Sequence, residues 1–269
     1  SLRAQARQAA NSLQRIPKAR PKPSHRSSSG ASPATGLVSV PNRYMHSPNE
    51  MVAVAAAFLR ASLSPPPPPP PPRAWQRMLS GRRLDLLDPS PVDVEIEDIA
   101  HGLSRVARWN GQTAGELPFT VAQHSLLVVD FCEAMRPDWP AKWRLAALLH
   151  DAPEFVIGDM ISPFKAALGE GYRSIERRLQ AAIHLRFGLP ATLPDAVAKT
   201  IKRADRASAF FEATQLAGFS LDEARVLFGS PEGAPPTQLE TEPTKAVQAR
   251  YIDRFRGLIA EFDGARGDR

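Results

Sequence analysis

Cysteine is almost missing from this chain: Cys132 is the single one among 269 residues. That excludes an intrachain disulfide framework and makes a reducing, cytoplasmic compartment the expected one. Long apolar runs are missing too. The longest outside the candidate folded region, residues 51–63, is broken by Arg60 and ends at eight consecutive prolines, short of the roughly 20 residues that a bilayer requires. No membrane partner is therefore expected, and no small-residue cleavage site marks the run as an export sequence. A third absence is sustained period-two alternation of β-branched residues, so the fold is expected to be all-α.

Acid is scarce at one end. The first 73 residues hold ten of the 34 Lys and Arg but one of the 28 acids, Glu50, which leaves 24 bases and 27 acids for the other 196. The high pI thus belongs to the leader and says nothing in favour of a nucleic-acid partner for the body. With 14 of the 27 prolines in this stretch, residues 1–73 read as a disordered basic leader, and 65–72 as a polyproline II rod. Met45 and Met51 offer alternative starts within it. The folded body is expected to span residues 74–269, enough for one core.

Within the body, apolar spacing marks successive helices. Residues 75–79 read as a short helical turn, and 81–91 as an irregular segment that tucks Leu84, Leu86 and Leu87 inward. Ile96, Ile99 and Leu103 fall at helical spacing, with Glu95, Glu97 and Asp98 where the N-terminal dipole favours acids. This helix carries His101 and runs toward Arg108 and Trp109. Thr120, followed three residues later by Gln123, has the form of a capping box; it starts a helix near Val121 that carries His124 on its apolar face. After a break at Pro137 and Pro140, residues 145–149 are an unbroken apolar run, expected as a buried core helix. It ends at His150 and Asp151, with Pro153, Glu154 and Asp159 beyond. Further helices are expected over 172–187 and 195–217. In the second, Val197, Ile201, Ala204, Ser208 and Phe211 face inward, and Asp205 and Glu212 lie in or beside that stripe. A Pro- and Gly-rich loop over 230–243 precedes a last helix over 246–262, which covers the core and offers a surface for a homodimer.

Burying an imidazole or a carboxylate is costly unless it is paired or bound to a metal. Taken singly, a His on an apolar face is ordinarily a satisfied core residue. Two His and two Asp carried to the interior by separate helices are a different matter. His124, His150, Asp151 and Asp205 together supply what one divalent cation needs, with positions left for water and substrate. Structural zinc would more usually recruit Cys, so an open, catalytic type of site is expected.

The ordered set of Arg108-Trp109, the run from Val121 to Ser125, the run from His150 to Glu154, Gly158-Asp159, Ser162-Pro163-Phe164-Lys165 and Ala204-Asp205 resembles the HD-domain superfamily of metal-dependent phosphohydrolases. The motifs follow in the order seen in bacterial 5'-deoxynucleotidases and in similar phage-type deoxyadenosine triphosphohydrolases. The resemblance covers about residues 74–217, and the stretch from Asn110 to Thr113 is closer to the phage-type enzymes. It implies an HD-domain helical bundle that hydrolyses a nucleotide phosphate ester or anhydride with one divalent metal ion (Mn, Co, Mg, Zn or Fe). His124, His150, Asp151 and Asp205 would be the metal ligands. Glu154 would hydrogen-bond the attacking water or supply a proton, and Asp159 would position that water or the leaving oxygen. Arg108 would clamp the phosphate, Trp109 would pack on the sugar, Ser162 would contact substrate, and Lys165 would reach a further phosphate. His101 would line the pocket, and Glu212 would pair with Arg203 or Arg206. Two alternatives stay open: a metal-stabilised binding or signalling module without turnover, and a phosphodiesterase acting on a cyclic nucleotide or guanosine tetraphosphate.

Overall fold

The structure, a computed structural model, describes residues 74–267, without the side chains of 162, 163, 266 and 267. The leader and the polyproline rod expected over residues 1–73 lie outside the described residues. A hairpin of β1 (Trp75–Arg77) and β2 (Arg83–Asp85) leads into eight helices. They are α1 (Ile96–Leu103), α2 (Val121–Met135), α3 (Ala141–Leu148), α4 (Glu154–Ile157), α5 (Ser162–Arg186), α6 (Asp195–Gln215), α7 (Leu221–Phe228) and α8 (Thr244–Gly267). No helix among the described residues is long and apolar enough to cross a membrane. The fold is all-α apart from the short hairpin, as expected.

Around α2 the other helices assemble. The Thr120 hydroxyl accepts the Gln123 amide, and the Gln123 side chain accepts the Thr120 amide, so the capping box forms. Behind this cap nearly the whole helix is buried, including Val121, Val128, Phe131 and Cys132. It packs on α6, α3 and α8, while α8 also covers α1 and α3. Residues 145–149 are buried throughout, as their sequence requires. Burial pushes the Cys132 thiol up to about 12, which leaves it an unreactive core residue.

Several local expectations give way to tertiary contacts. Residues 75–79 form a strand and turn instead of a helical turn, because β1 finds a partner: Gln76 faces Leu84 across the ladder, and the Ser80 amide and hydroxyl are held by Asp98. Asp98 lies in the first turn of α1, as expected, and is buried there. Leu87, expected inward, is 48% exposed. Helix α5 begins at Ser162, ten residues earlier than the apolar spacing indicates, with proline in its first turn, where no amide donor is needed. A kink at Gly169 (φ 70°) divides it. Helix α7, which the sequence reading passes over, is started by a second capping box, Ser220 with Glu223.

Close approach of α1 and α4 depends on Gly102. A Cβ there would lie 2.7 Å from the Phe155 carbonyl oxygen and 2.8 Å from its Cβ. Helix propensity alone favours Ala over Gly by about 1 kcal/mol, but overpacking costs about 1–3 kcal/mol. Gly102→Ala is therefore expected to destabilise the protein in urea denaturation; a stabilised variant would show that the two helices are free to part.

Candidate metal centre

Helix α3 delivers His150 and Asp151 at its C-terminal end, where a helix leaves carbonyl groups without amide partners. Side chains from three places take them up. The His150 ring donates from Nδ1 to the Ala147 carbonyl at 2.8 Å, the buried Tyr251 hydroxyl of α8 donates to Leu148 at 3.0 Å, and Gln180 Nε2 of α5 donates to Leu149 at 2.9 Å. The end of α3 is fixed from three directions, and with it the direction of the His150 ring.

His124 reaches the same point from α2, fully buried. Its Nδ1 lies 2.6 Å from Glu212 Oε1 on α6, a separation that assigns the ring proton to Nδ1. Ser208, one turn before Glu212, donates to the same oxygen at 2.9 Å. The other Glu212 oxygen accepts from Arg108 Nε at 3.2 Å and Trp109 Nε1 at 2.9 Å. Burial raises the Glu212 carboxyl, but Arg108 and His124 outweigh it and hold the group down to about 2. One buried carboxylate thus orients a histidine, an arginine and a tryptophan.

Both imidazoles have spent their Nδ1 protons outward, so each turns Nε2 to the other, 3.3 Å apart. Asp205 Oδ1 stands 3.3 Å from His124 Nε2. Asp151 Oδ2 stands 3.5 Å from His124 Nε2 and 3.3 Å from that of His150. Electron-pair donors do not crowd together unless something positive lies between them. The separations are those of neighbouring ligands around an ion with bonds of about 2.0–2.2 Å, so the donor set fits a divalent cation. His124, His150 and Asp205 each offer a ligand atom, all within 4.8 Å of one another, and so could hold one. Without a cation, protons take its place. Burial and Arg108 oppose protonation of His124, but Glu212, Asp151 and Asp205 prevail and hold its pKa well above the usual imidazole value. Against the pull of burial, His150 and His124 keep Asp151 well below the usual carboxylate range, and His124 above all keeps Asp205 low.

A second cluster flanks this one. Glu154 opens α4 one turn beyond Asp151 and is 2% exposed. Burial, then Asp151 and Asp159, push its carboxyl up to about 9, so it keeps its proton at neutral pH. Its Oε1 meets Lys165 at 3.2 Å, and Lys165 also meets Glu176 at 3.0 Å; its Oε2 is buried with no partner. Arg108 spans from Glu212 to Asp159, which it holds at 2.9 Å. A bridge between Ala107 and Thr120 positions Arg108 beside the N-terminus of α2, and Trp109 and Asn110 follow in the left-handed region (φ 58° and 51°). Such a conformation is unusual for a bulky residue. Trp109 is held in it by Glu212, by a tilted ring contact with Phe219 and by an edge contact with Phe228.

The structure therefore brings together His124, His150, Asp151 and Asp205, with Glu154, Asp159, Arg108 and Lys165 beside them. Trp109 packs against Phe219 and Phe228, and Ser162 lies among the residues whose side chains are not described. His101 stands apart on α1, its pKa lowered by burial and Arg105. Glu212 corrects the sequence reading: its partners are Arg108 and His124, from distant parts of the chain, and not Arg203 or Arg206. The signal that could have found it was present, since it falls one turn beyond Ser208 on the buried stripe that carries Asp205.

Residues 121–209 match the HD domain family. An uncharacterized protein of Rhodobacter capsulatus is 56% identical over 194 residues, which cover 71% of this chain and 99% of that protein. The uncharacterized protein YfdR of Escherichia coli is 30% identical over 169 residues, 62% of this chain and 85% of its own length.

Glu212→Gln keeps the shape of the side chain but weakens its grip on the His124 ring. Partners of this kind are worth about 10–100-fold in metal affinity, and a loss of that size is expected on titrating the purified protein with Mn²⁺. Because a proton on His124 competes with the cation, Mn²⁺ affinity of the parent is also expected to fall as pH is lowered from 8 to 6. Affinity independent of pH would contradict the assignment of His124.

Proposed function

From the premise that this chain carries an HD domain and belongs to one family with these two proteins, we propose that it is a metal-dependent phosphohydrolase acting on a nucleotide, with a deoxynucleoside 5'-phosphate as the preferred substrate. HD domains are in general metal-dependent phosphohydrolases. The observation that carries the reading is the juxtaposition of four converging side chains, His124, His150, Asp151 and Asp205, with a buried carboxyl group, Glu154, whose second oxygen has no partner.

A divalent cation held by His124, His150, Asp151 and Asp205 would lower the pKa of a bound water and polarise the phosphoryl oxygens. The protein's own groups would do the rest. Attack by water forms one P–O bond and breaks another, and the leaving oxygen needs a proton. Glu154 holds a proton at neutral pH and would donate it there, then recover one from the attacking water. Asp159, fixed by Arg108, would orient the water, and the remaining donors of the Arg108 guanidinium would meet the phosphate.

Charge balance favours a monophosphate over a triphosphate. Lys165, the cation expected to reach a further phosphate, is already shared by Glu154 and Glu176, and Lys202 is taken by Asp205. Incubation with deoxynucleoside mono- and triphosphates and Mn²⁺, Co²⁺ or Mg²⁺ is expected to release orthophosphate from the monophosphates. Tripolyphosphate from the triphosphates would move the reading to the triphosphohydrolase type. No turnover of either panel would leave a metal-stabilised binding module. Glu154→Gln is expected to lower kcat by about 10²–10⁴-fold with bound metal unchanged in elemental analysis; equal activity would remove Glu154 from the chemistry.

A further inference from the structure

The candidate centre has two unlike sides, and the chemistry above uses one of them. On the side of Glu154, Asp159, Arg108 and Lys165 the side chains are polar and tied together, Arg108 to Asp159 by an ion pair and Lys165 to Glu154 by a hydrogen bond. On the other side, His150, Asp151 and Asp205 border a cleft of about 250 Å³ between α5 and α6. Its remaining walls are Gln180 and His184 of α5, Leu193 of the connecting loop, and Ala198, Ile201 and Lys202 of α6.

These walls are apolar or neutral, with one exception. Asp151 and Asp205 are the only carboxylates that line the cleft, and its one ammonium, Lys202 Nζ, is held by Asp205 Oδ2 at 2.6 Å. Burial keeps the His184 ring neutral by lowering its pKa; Nδ1 donates to the Pro190 carbonyl at 3.2 Å, and Nε2 accepts from Gln180 Nε2 at 2.7 Å. Gln180 spends its second amide hydrogen on the Leu149 carbonyl. Both donors of this amide are thus committed, its plane is fixed, and among the described residues no donor reaches its Oε1. What the cleft offers a ligand is an apolar slot with one oriented acceptor.

A nucleotide is divided in the same way, into a charged phosphate and a flat, neutral heterocycle that carries N–H groups. We infer that the cleft between α5 and α6 takes the base-bearing end of the nucleotide, with Gln180 Oε1 accepting an N–H from the base and Leu193, Ala198 and Ile201 packing on its faces. Whole ligand pockets span about 300–1,000 Å³. A volume somewhat below that suits part of a ligand whose phosphate lies outside the cleft, at the four donors. Gln180 then links recognition to chemistry, since the same amide fixes the Leu149 carbonyl beside His150. The inference rests on the phosphohydrolase reading, and binding can be tested apart from turnover.

Ala198 is exposed on α6 at the wall of the cleft, so a larger side chain fills the slot without entering the core. With Mn²⁺ present, binding of the four deoxynucleoside monophosphates and of inorganic phosphate is compared by calorimetry in Glu154→Gln and in the same protein with Ala198→Phe. At least a tenfold rise in Kd for the nucleotides, with phosphate binding and the melting temperature unchanged, is expected. Nucleotide Kd values within twofold of each other in the two proteins would overturn the inference and leave the hydrolase reading standing. Absence of nucleotide binding in Glu154→Gln would overturn both. In the otherwise unaltered protein, Gln180→Leu is expected to change the ratio of kcat/KM among the four bases; an equal loss for all four would reduce Gln180 to a structural role and remove it from base recognition.

Discussion

Two imidazole rings turned toward each other, each with its proton committed on the far side, are the constraint on which the rest of this molecule depends. His124 is turned by Glu212 and His150 by the Ala147 carbonyl, which leaves the two Nε2 atoms 3.3 Å apart with oxygens of Asp151 and Asp205 close by. Such an arrangement opposes itself unless positive charge enters. The fold holds it in place from a distance: Tyr251 of α8 and Gln180 of α5 secure the end of α3, and the capping box at Thr120 sets where α2 begins. Stability and function meet here, since the same hydrogen bonds that complete the end of a helix also set the spacing of the donors.

Around this point charge is partitioned with care. Glu212 and Asp159 absorb Arg108, and Glu176 absorbs Lys165, which also donates a hydrogen bond to Glu154. One carboxyl, Glu154, is left protonated at neutral pH by its burial and by its acidic neighbours. Across the donors lies a cleft with little charge of its own. In the proposed function, this division between a charged and a neutral side would give a nucleotide a single direction of approach.

Much of this was legible in the sequence, for identifiable reasons. His124 could be placed because Thr120 and Gln123 set the helix start and the apolar stripe set its face. Asp205 could be placed because an acid within the run of Val197, Ile201 and Ala204 has no bland place to go. What stayed hidden depended on distant contacts. Glu212 finds Arg108 and Trp109 more than a hundred residues away, and no local spacing encodes that. Gln180 looks like an ordinary polar residue on an amphipathic helix until the Leu149 carbonyl is brought beside it. The hairpin at residues 75–85 leaves no sequence signal, because its strands are three residues each, too short for alternation to appear. The early start of α5 was obscured by Pro163 and Gly169, which suggest a loop locally but are accommodated as a first-turn residue and a kink.

If the facing imidazoles and their two aspartates enclose one cation, crystals grown with Mn²⁺ reveal it by anomalous scattering. A single peak about 2.0–2.2 Å from His124 Nε2, His150 Nε2 and the Asp151 and Asp205 oxygens is the predicted result. No peak at that point, or manganese bound at other residues with the two rings still facing each other, would contradict the account.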